Sequence, residues 1–198
     1  MPRHAGTFLV GALYAGDRVR QNARVTTETD AEILAPADHD LLEWIVAEAE
    51  RRGNAVVSVP SDDKGSGFCF TACVWAAHQI PEAVVIGLPE PVAQVLLDAY
   101  VDRAATAGEF QVGQVYDDFF QGVPVTFEHV HPKHYAEYFG SAFVVYPDGD
   151  FPALQIIVAT PEGRWPWDTD APEGFAQWQP VLTESGRPEC WTPGIDGP

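Results

Sequence analysis

Two segments of the chain carry apolar residues at the spacing of an α-helix. The first begins at Pro36 and ends before Gly53, a residue suited to a helix end because glycine readily adopts a left-handed backbone. The second begins at Pro89 or Pro91 and ends at Gly108. A third helix is predicted over residues 132–145. The apolar face of the first helix consists of Leu41, Leu42, Ile45, Val46 and Ala49, and that of the second of Val92, Val95, Leu96, Ala99 and Tyr100.

Shorter runs of apolar and β-branched residues predict the strands. They cover residues 54–59, 68–75, 82–88, 110–115, 123–130 and 151–158, with two more near the start at 7–14 and 23–29. An aromatic-rich segment, YDDFFQG, is predicted to link two strands, and the glycine- and proline-rich chain after residue 160 is predicted to be irregular. The interleaved elements predict a single domain of the α/β or α+β class, with a mixed, mostly antiparallel sheet and about three helices.

The charge of the chain restricts its partners. Asp and Glu number 29 against 11 Lys and Arg, which gives a formal net charge of −18. Such a field repels phosphate groups, so we expect neither direct nucleic-acid binding nor binding to anionic membranes. It is compatible with simple solubility, with a basic protein partner, or with mimicry of nucleic acid. No apolar run approaches the roughly 18 residues of a membrane helix, and the oligomeric state has no signature in the sequence.

The three cysteines are too few and too scattered for a disulfide framework, so we expect a reducing, cytoplasmic setting. On the predicted strand 68–75, Cys69 and Cys73 would share one face with Cα atoms about 13 Å apart, too far for a disulfide. Either thiol could be a nucleophile paired with His78, or both could be buried packing residues, which is the commoner role of cysteine.

Three segments together resemble an uncharacterised bacterial family, domain of unknown function 4262. They are GFCFTACVWAAHQIPEAVVIGLPEPVAQVLLDAY, VPVTFEHVHPKHYAEYFGSAFVVY and FPALQIIVATPEGRWPWDTD. The resemblance covers residues from about 40 to 182. It leaves the N-terminal extension 1–35, predicted to contain strands, and the irregular tail 183–198 outside a family-like core at 36–182. It implies little chemistry and names no cofactor, because no activity is established for the family.

The chain departs from the family pattern at three places. Members usually carry histidine before the Pro-Glu turn, where this chain has Ile80. They often have glycine where Cys73 stands, and Trp-Pro after the last strand where this chain has residues 159–161, Ala-Thr-Pro. His134 and Tyr135, in contrast, match the family pattern. A site shaped by the usual histidine or glycine would therefore be altered in this chain.

The segment Arg164-Trp165-Pro166-Trp167-Asp168 is the first candidate site. Pro166 fixes its own φ and favours an extended backbone at Trp165, so both indoles should lie on one face and the two charged residues on the other. The indoles could bind an aromatic, sugar-like or cationic ligand. Alternatively, they could cover the end of the core while Arg164 and Asp168 form an ion pair. The candidate ligand-binding residues are His134, Tyr135, Arg164, Trp165, Trp167 and Asp168.

The segment EHVHPKHY offers a candidate metal set. On a strand, His129 and His131 would point to the same side, and His134 is close enough in sequence to be a third ligand. Pro132, however, makes His131 a residue of a helix entry, and the spacing matches no recognised metal motif.

Two functions therefore stay open. One is a small-molecule-binding or enzyme-like domain with its pocket between the Arg-Trp-Pro-Trp-Asp corner and the His-Tyr helix, whether or not it is catalytic. The other is a non-catalytic acidic module that binds a basic protein, as inhibitors, immunity proteins and nucleic-acid mimics do.

Overall fold

The computed structural model describes residues 36–63 and 65–198. The predicted strands at 7–14 and 23–29 lie outside these residues. The regular elements, in chain order, are α1 (Pro36–Arg52), β1 (Ala55–Val59), β2 (Phe68–Ala72), α2 (Val74–His78), β3 (Glu82–Ile86), α3 (Glu90–Ala107), β4 (Tyr116–Phe120), β5 (Val123–His129), α4 (Tyr135–Tyr138), β6 (Ala153–Val158) and α5 (Phe175–Trp178). Two 3₁₀ turns, Pro132–His134 and Gly140–Val144, flank α4.

The six strands form one mixed sheet in the order β1-β2-β3-β6-β5-β4. Every neighbouring pair is antiparallel except β3 and β6, which run parallel with Glu82 opposite Ala153. The parallel pair is possible because the chain between the two strands is long enough to cross back over the sheet. The predicted class, a mixed and mostly antiparallel sheet with helices, is confirmed.

Helices and 3₁₀ turns cover both faces of the sheet, so the molecule has two main core layers. On one face, α1 and the segment around α4 pack with Phe70, Phe139 and neighbouring apolar residues. On the other face, α3 packs mainly against β2 and β3, and its Tyr100 ring reaches Phe127 of β5. Apolar surface buried on both faces is the main stabilising contribution of such an arrangement.

The buried face of α3 is not the predicted one. Val92 and Val95 are exposed, Val95 by 65%. The predicted stripe was therefore rotated, although Leu96 and Tyr100 do lie in the core. Two alanines, Ala93 and Ala104, contribute to the true face. The buried residues of α3 are Ala93, Leu96, Leu97, Tyr100, Val101 and Ala104.

The predicted strand 68–75 ends earlier, at Ala72. Cys73 has φ 74° and ψ −1°, a left-handed conformation that ends the strand, and α2 begins at the next residue. Cys69 and Cys73 therefore do not share a strand face, and their side chains belong to the two different core layers. The left-handed backbone also gives a physical reason for the glycine that the family pattern often has in place of Cys73, since glycine adopts this conformation without strain.

Two further segments differ from the prediction. Residues 110–115 are irregular rather than a strand, with a turn at 112–113 where Gly113 has φ 76° and its N–H donates to Phe127 O. The strand is instead the predicted link, β4, in which Asp118 pairs with Arg103 at the surface. The predicted helix at 132–145 is divided into 3₁₀, α and 3₁₀ segments, because Phe139 has φ −131° and interrupts the helix.

Candidate ligand-binding site

The Trp165–Trp167 corner is a packed structure. Trp165 is 6% exposed and packs against Ile157, Ala159 and Val181 beside the end of β6. The Trp165 and Trp167 rings stack at 5.5 Å with an interplanar angle of 3°. The rings lie on one side, but the backbone is a turn rather than the predicted extended segment, because Asp168 N–H donates to Trp165 O at 3.1 Å. The Trp167 and Trp191 rings make a T-shaped contact with their centroids 5.0 Å apart. The C-terminal tail therefore covers this side of the corner.

Polar atoms of the corner also form hydrogen bonds and an ion pair within the protein. Trp167 Nε1–H donates to Pro198 O at 3.1 Å, and Trp165 N–H donates to Asp168 Oδ2 at 2.8 Å. Arg164 pairs with Asp170 at 3.0 Å rather than with Asp168. Asp168 therefore closes a turn, and the exposed Arg164–Asp170 pair contributes little to stability because water screens it.

His134 and Tyr135 lie away from that corner. The Tyr135 hydroxyl donates to Phe151 O at 3.0 Å, just before β6, and its ring stacks on Phe151 at 4.7 Å. The His134 Nε2–H donates to Thr183 O at 3.0 Å. Since Trp165 packs near the other end of β6, the structure does not bring the six candidate residues into one constellation.

The three histidines of the candidate metal set have separate environments. His131 Nδ1 accepts from Lys133 N–H at 3.3 Å, and His134 is bonded to the tail. His129 ends β5, and its imidazole makes no hydrogen bond within the described residues. Across residues 36–63 and 65–198, no three His, Cys, Asp or Glu side chains form a group that could hold a metal ion.

The thiols and His78 do not form a nucleophilic pair. His78 Nε2–H donates to Gly53 O at 2.7 Å. Burial, with the nearby carboxylate of Glu82, raises the pKa of the Cys73 thiol well above its usual range. Burial also raises the pKa of Cys69, although a hydrogen bond with Ser58 opposes the shift. Both thiols are therefore protonated at neutral pH and serve as buried packing groups, which is the second of the two roles that the sequence left open.

The sequence interpretation missed a buried carboxyl group, Glu82, at the start of β3. Its Oε2 accepts from the Thr71 hydroxyl at 2.6 Å, and its Oε1 accepts from the Tyr146 hydroxyl at 2.6 Å and from Trp75 N–H at 3.1 Å. Burial raises the pKa of Glu82 to about 7, against the opposing effect of these donors. Glu82 thus joins β2, the start of α2 and Tyr146, which lies two residues after the second 3₁₀ turn. The sequence signal for this buried carboxyl group was the position of Glu82, a charged residue at the start of the otherwise apolar run Glu82–Ile86.

Buried polar side chains also fix the C-terminal tail to the sheet. Gln155 donates to Pro180 O at 2.7 Å and accepts from Leu182 N–H at 2.8 Å. Glu128 Oε2 accepts from Glu189 N–H at 3.1 Å. The tail is irregular, as predicted, but it is held in a defined position along β5 and β6.

A first cleft, here called the His129 cleft, lies between α3, the end of β5 and the start of β6. Its volume is about 400 Å³. Ile80, Phe110 and Leu154 form much of its apolar lining, and Glu109, Gln111 and His129 are its polar side chains. None of these three makes a side-chain hydrogen bond or ion pair within the described part of the chain. Tyr100 also lines the cleft, and the carboxylates of Glu82 and Glu109 add to burial in raising its pKa.

A second cleft, here called the Trp178 cleft, lies where β1 and β3 end and α3 begins. Its volume is about 360 Å³, and its walls include Pro60, Cys69, Gly87, Glu90 and Trp178. The two clefts share no lining residue. Neither contains His134, Tyr135 or the residues of the Trp165–Trp167 corner.

Comparison with known proteins identifies the family but no activity. The family model described as Domain of unknown function (DUF4262) matches residues 48–172. The chain therefore belongs to this family, as the resemblance of the three segments predicted. No curated protein and no solved structure matches the chain. No helix within the described residues has the length and apolar character needed to cross a membrane.

Proposed function

We propose that this member of the family is a small-molecule-binding domain and that the His129 cleft is its binding site. The observation that supports the proposal is an apolar lining combined with three polar side chains that have no hydrogen-bond or ion-pair partner among the described residues. Binding sites for small molecules are typically concave, mostly apolar and equipped with a few polar groups that orient the ligand. A volume of about 400 Å³ lies within the range of such sites.

The polar groups indicate how a ligand would be held. The Glu109 carboxylate can accept hydrogen bonds, the Gln111 amide can donate and accept, and the His129 imidazole can do either depending on its tautomer. Imidazole and carboxylate groups also serve as proton donors and acceptors in catalysis. The proposal is therefore a binding site in which proton transfer to a bound molecule is chemically feasible.

The test is native mass spectrometry of the untagged protein isolated from its own host. We expect a mass excess that corresponds to one small molecule. Ala104 lines the cleft, so Ala104→Leu should fill part of it and abolish the excess. Ala107 is exposed on the same helix, so Ala107→Leu should retain it. A bare wild-type protein, or an excess that survives Ala104→Leu unchanged, would contradict the proposal.

A second candidate is a module that binds a basic protein through the outer face of α1. Trp44 is 44% exposed, with Asp40 one turn before it and Glu48, which pairs with Arg51, one turn after. Exposed tryptophans are common anchors of interfaces, and an acidic surround favours a basic partner. The same mass measurement tests it: a bound protein should dissociate with rising salt and should be lost in Trp44→Ala.

A further inference from the structure

One wall of the Trp178 cleft is the indole of Trp178, which is held in place by a hydrogen bond. Trp178 Nε1–H donates to Gly87 O at 3.0 Å. Gly87 has φ +79°, and a Cβ atom there would lie 2.6 Å from Trp178 Nε1, so only glycine allows this close approach. The link from β3 to α3 is therefore shaped to receive the edge of this indole.

The Trp178 indole is fixed at Gly87 but remains exposed to solvent. The ring atoms nearest to a Cβ atom built at Gly87 are Nε1 and Cδ1, which belong to the pyrrole part of the indole. Trp178 is 54% exposed. Within the described residues, no other aromatic ring stacks on it, in contrast to Trp165 and Trp167. A large apolar ring held in one orientation at the wall of a cleft is a ready contact surface for a ligand.

The charge in this cleft is negative. Glu90, in the first turn of α3, is exposed and makes no ion pair within the described part of the chain. Its carboxylate lies close enough to the cleft floor to contribute to the raised pKa of Cys69. The described lining residues include no lysine or arginine. The net charge of −18 adds a field that attracts cations and repels anions.

From this arrangement we infer that the Trp178 cleft binds a small organic cation with a methylated ammonium group. The face of an indole attracts such a cation through the ring quadrupole, and tryptophan is the best of the aromatic side chains for this interaction. The Glu90 carboxylate supplies a second attraction at the same cleft. Pro60 and Pro89, which also line the cleft, supply apolar surface for the methyl groups on the nitrogen. This site is independent of the His129 cleft.

The experiment compares choline with 3,3-dimethylbutan-1-ol, which has the same shape but a carbon in place of the charged nitrogen. Both are titrated into ¹⁵N-labelled protein at constant ionic strength, and binding is read from the Gly87 amide, which is present in every variant. We expect saturable shifts with choline at millimolar concentration. The neutral alcohol should bind at least about tenfold more weakly, because it lacks the cation–π and charge attraction.

Matched variants assign the binding to the cleft. Trp178→Phe keeps an aromatic ring but removes the indole, and should weaken choline binding about fivefold or more. Trp44→Phe, on the other exposed tryptophan, should leave it unchanged. Glu90→Gln should weaken binding severalfold, and the exposed Glu173→Gln should not. Equal affinity for choline and the alcohol, equal effects of the two tryptophan variants, or no saturable shift up to about 50 mM would each overturn the inference.

Discussion

Replacement of Glu82 by glutamine tests the electrostatics of the buried hydrogen-bond network. Glu82 is fully buried, and its pKa is raised to about 7 in the folded protein. In the unfolded chain its pKa is the ordinary 4.5. Between these values the folded protein holds a proton that the unfolded chain has released, so stability falls as pH rises through this interval. The contribution is fully present below about pH 4.5 and is lost above about pH 7.

The magnitude follows from the two pKa values. One pKa unit corresponds to about 1.4 kcal/mol, so the interval from 4.5 to about 7 corresponds to about 3 kcal/mol. Glu82→Gln removes the ionisation. Its carbonyl oxygen can still accept from Tyr146 and Trp75, and its amide can donate to the Thr71 hydroxyl. We therefore expect the variant to gain about 3 kcal/mol relative to the wild type between about pH 5 and about pH 8.

The assay is urea unfolding, followed by tryptophan fluorescence, across that pH range. The quantity of interest is the difference in unfolding free energy between wild type and variant, because other carboxylates contribute equally to both. Glu173→Gln, at an exposed position, is the control and should show no pH-dependent difference. A constant difference between wild type and Glu82→Gln would refute the reasoning. A difference of opposite sign would mean that the hydrogen-bond donors keep Glu82 ionised in the folded protein.

Two further predictions concern packing. Cys73→Gly should change the unfolding free energy by less than about 1 kcal/mol, because relief of the left-handed strain offsets the lost side chain. Cys73→Val should lower the unfolding free energy by about 2 kcal/mol. Chemical denaturation of both variants checks this, and equal effects would contradict the strain argument. Trp165→Ala should lower the unfolding free energy by about 3 kcal/mol, because its buried indole packs on β6; unchanged stability in the same assay would rule out the packing role.

Most elements could be predicted because their signals are local. The helix ending at Gly53, the strands around Val56 and Val84, and the long helix before Gly108 all follow from apolar periodicity and terminal glycines. The prediction failed where one residue changes the backbone locally. Cys73 has no sequence signature of a left-handed conformation, and the alternation around it is indistinguishable from a longer strand.

The candidate sites were harder to predict because they depend on distant contacts. Trp178 and Gly87 are 91 positions apart, and only the folded chain shows that the glycine receives the indole. The sequence predicts His129 as a candidate metal ligand, but its cleft depends on Gln111, which falls in the predicted strand 110–115, and on Glu109 just before it. The cluster of chemically suggestive residues at 164–168, in contrast, is largely explained by packing.

The strand order has a consequence for how the chain is made. Of the six strands in the described residues, β6 is the last to be synthesised, yet it lies between β3 and β5. Before it emerges from the ribosome, β1, β2 and β3 can form one antiparallel unit and β4 and β5 can form a hairpin, but each has an unpaired edge where β6 will insert. Unpaired edges of this kind favour association between chains. A nascent or truncated chain that ends before Ala153 therefore consists of two incomplete half-sheets, and the insertion of β6 is the step that joins them and removes both edges.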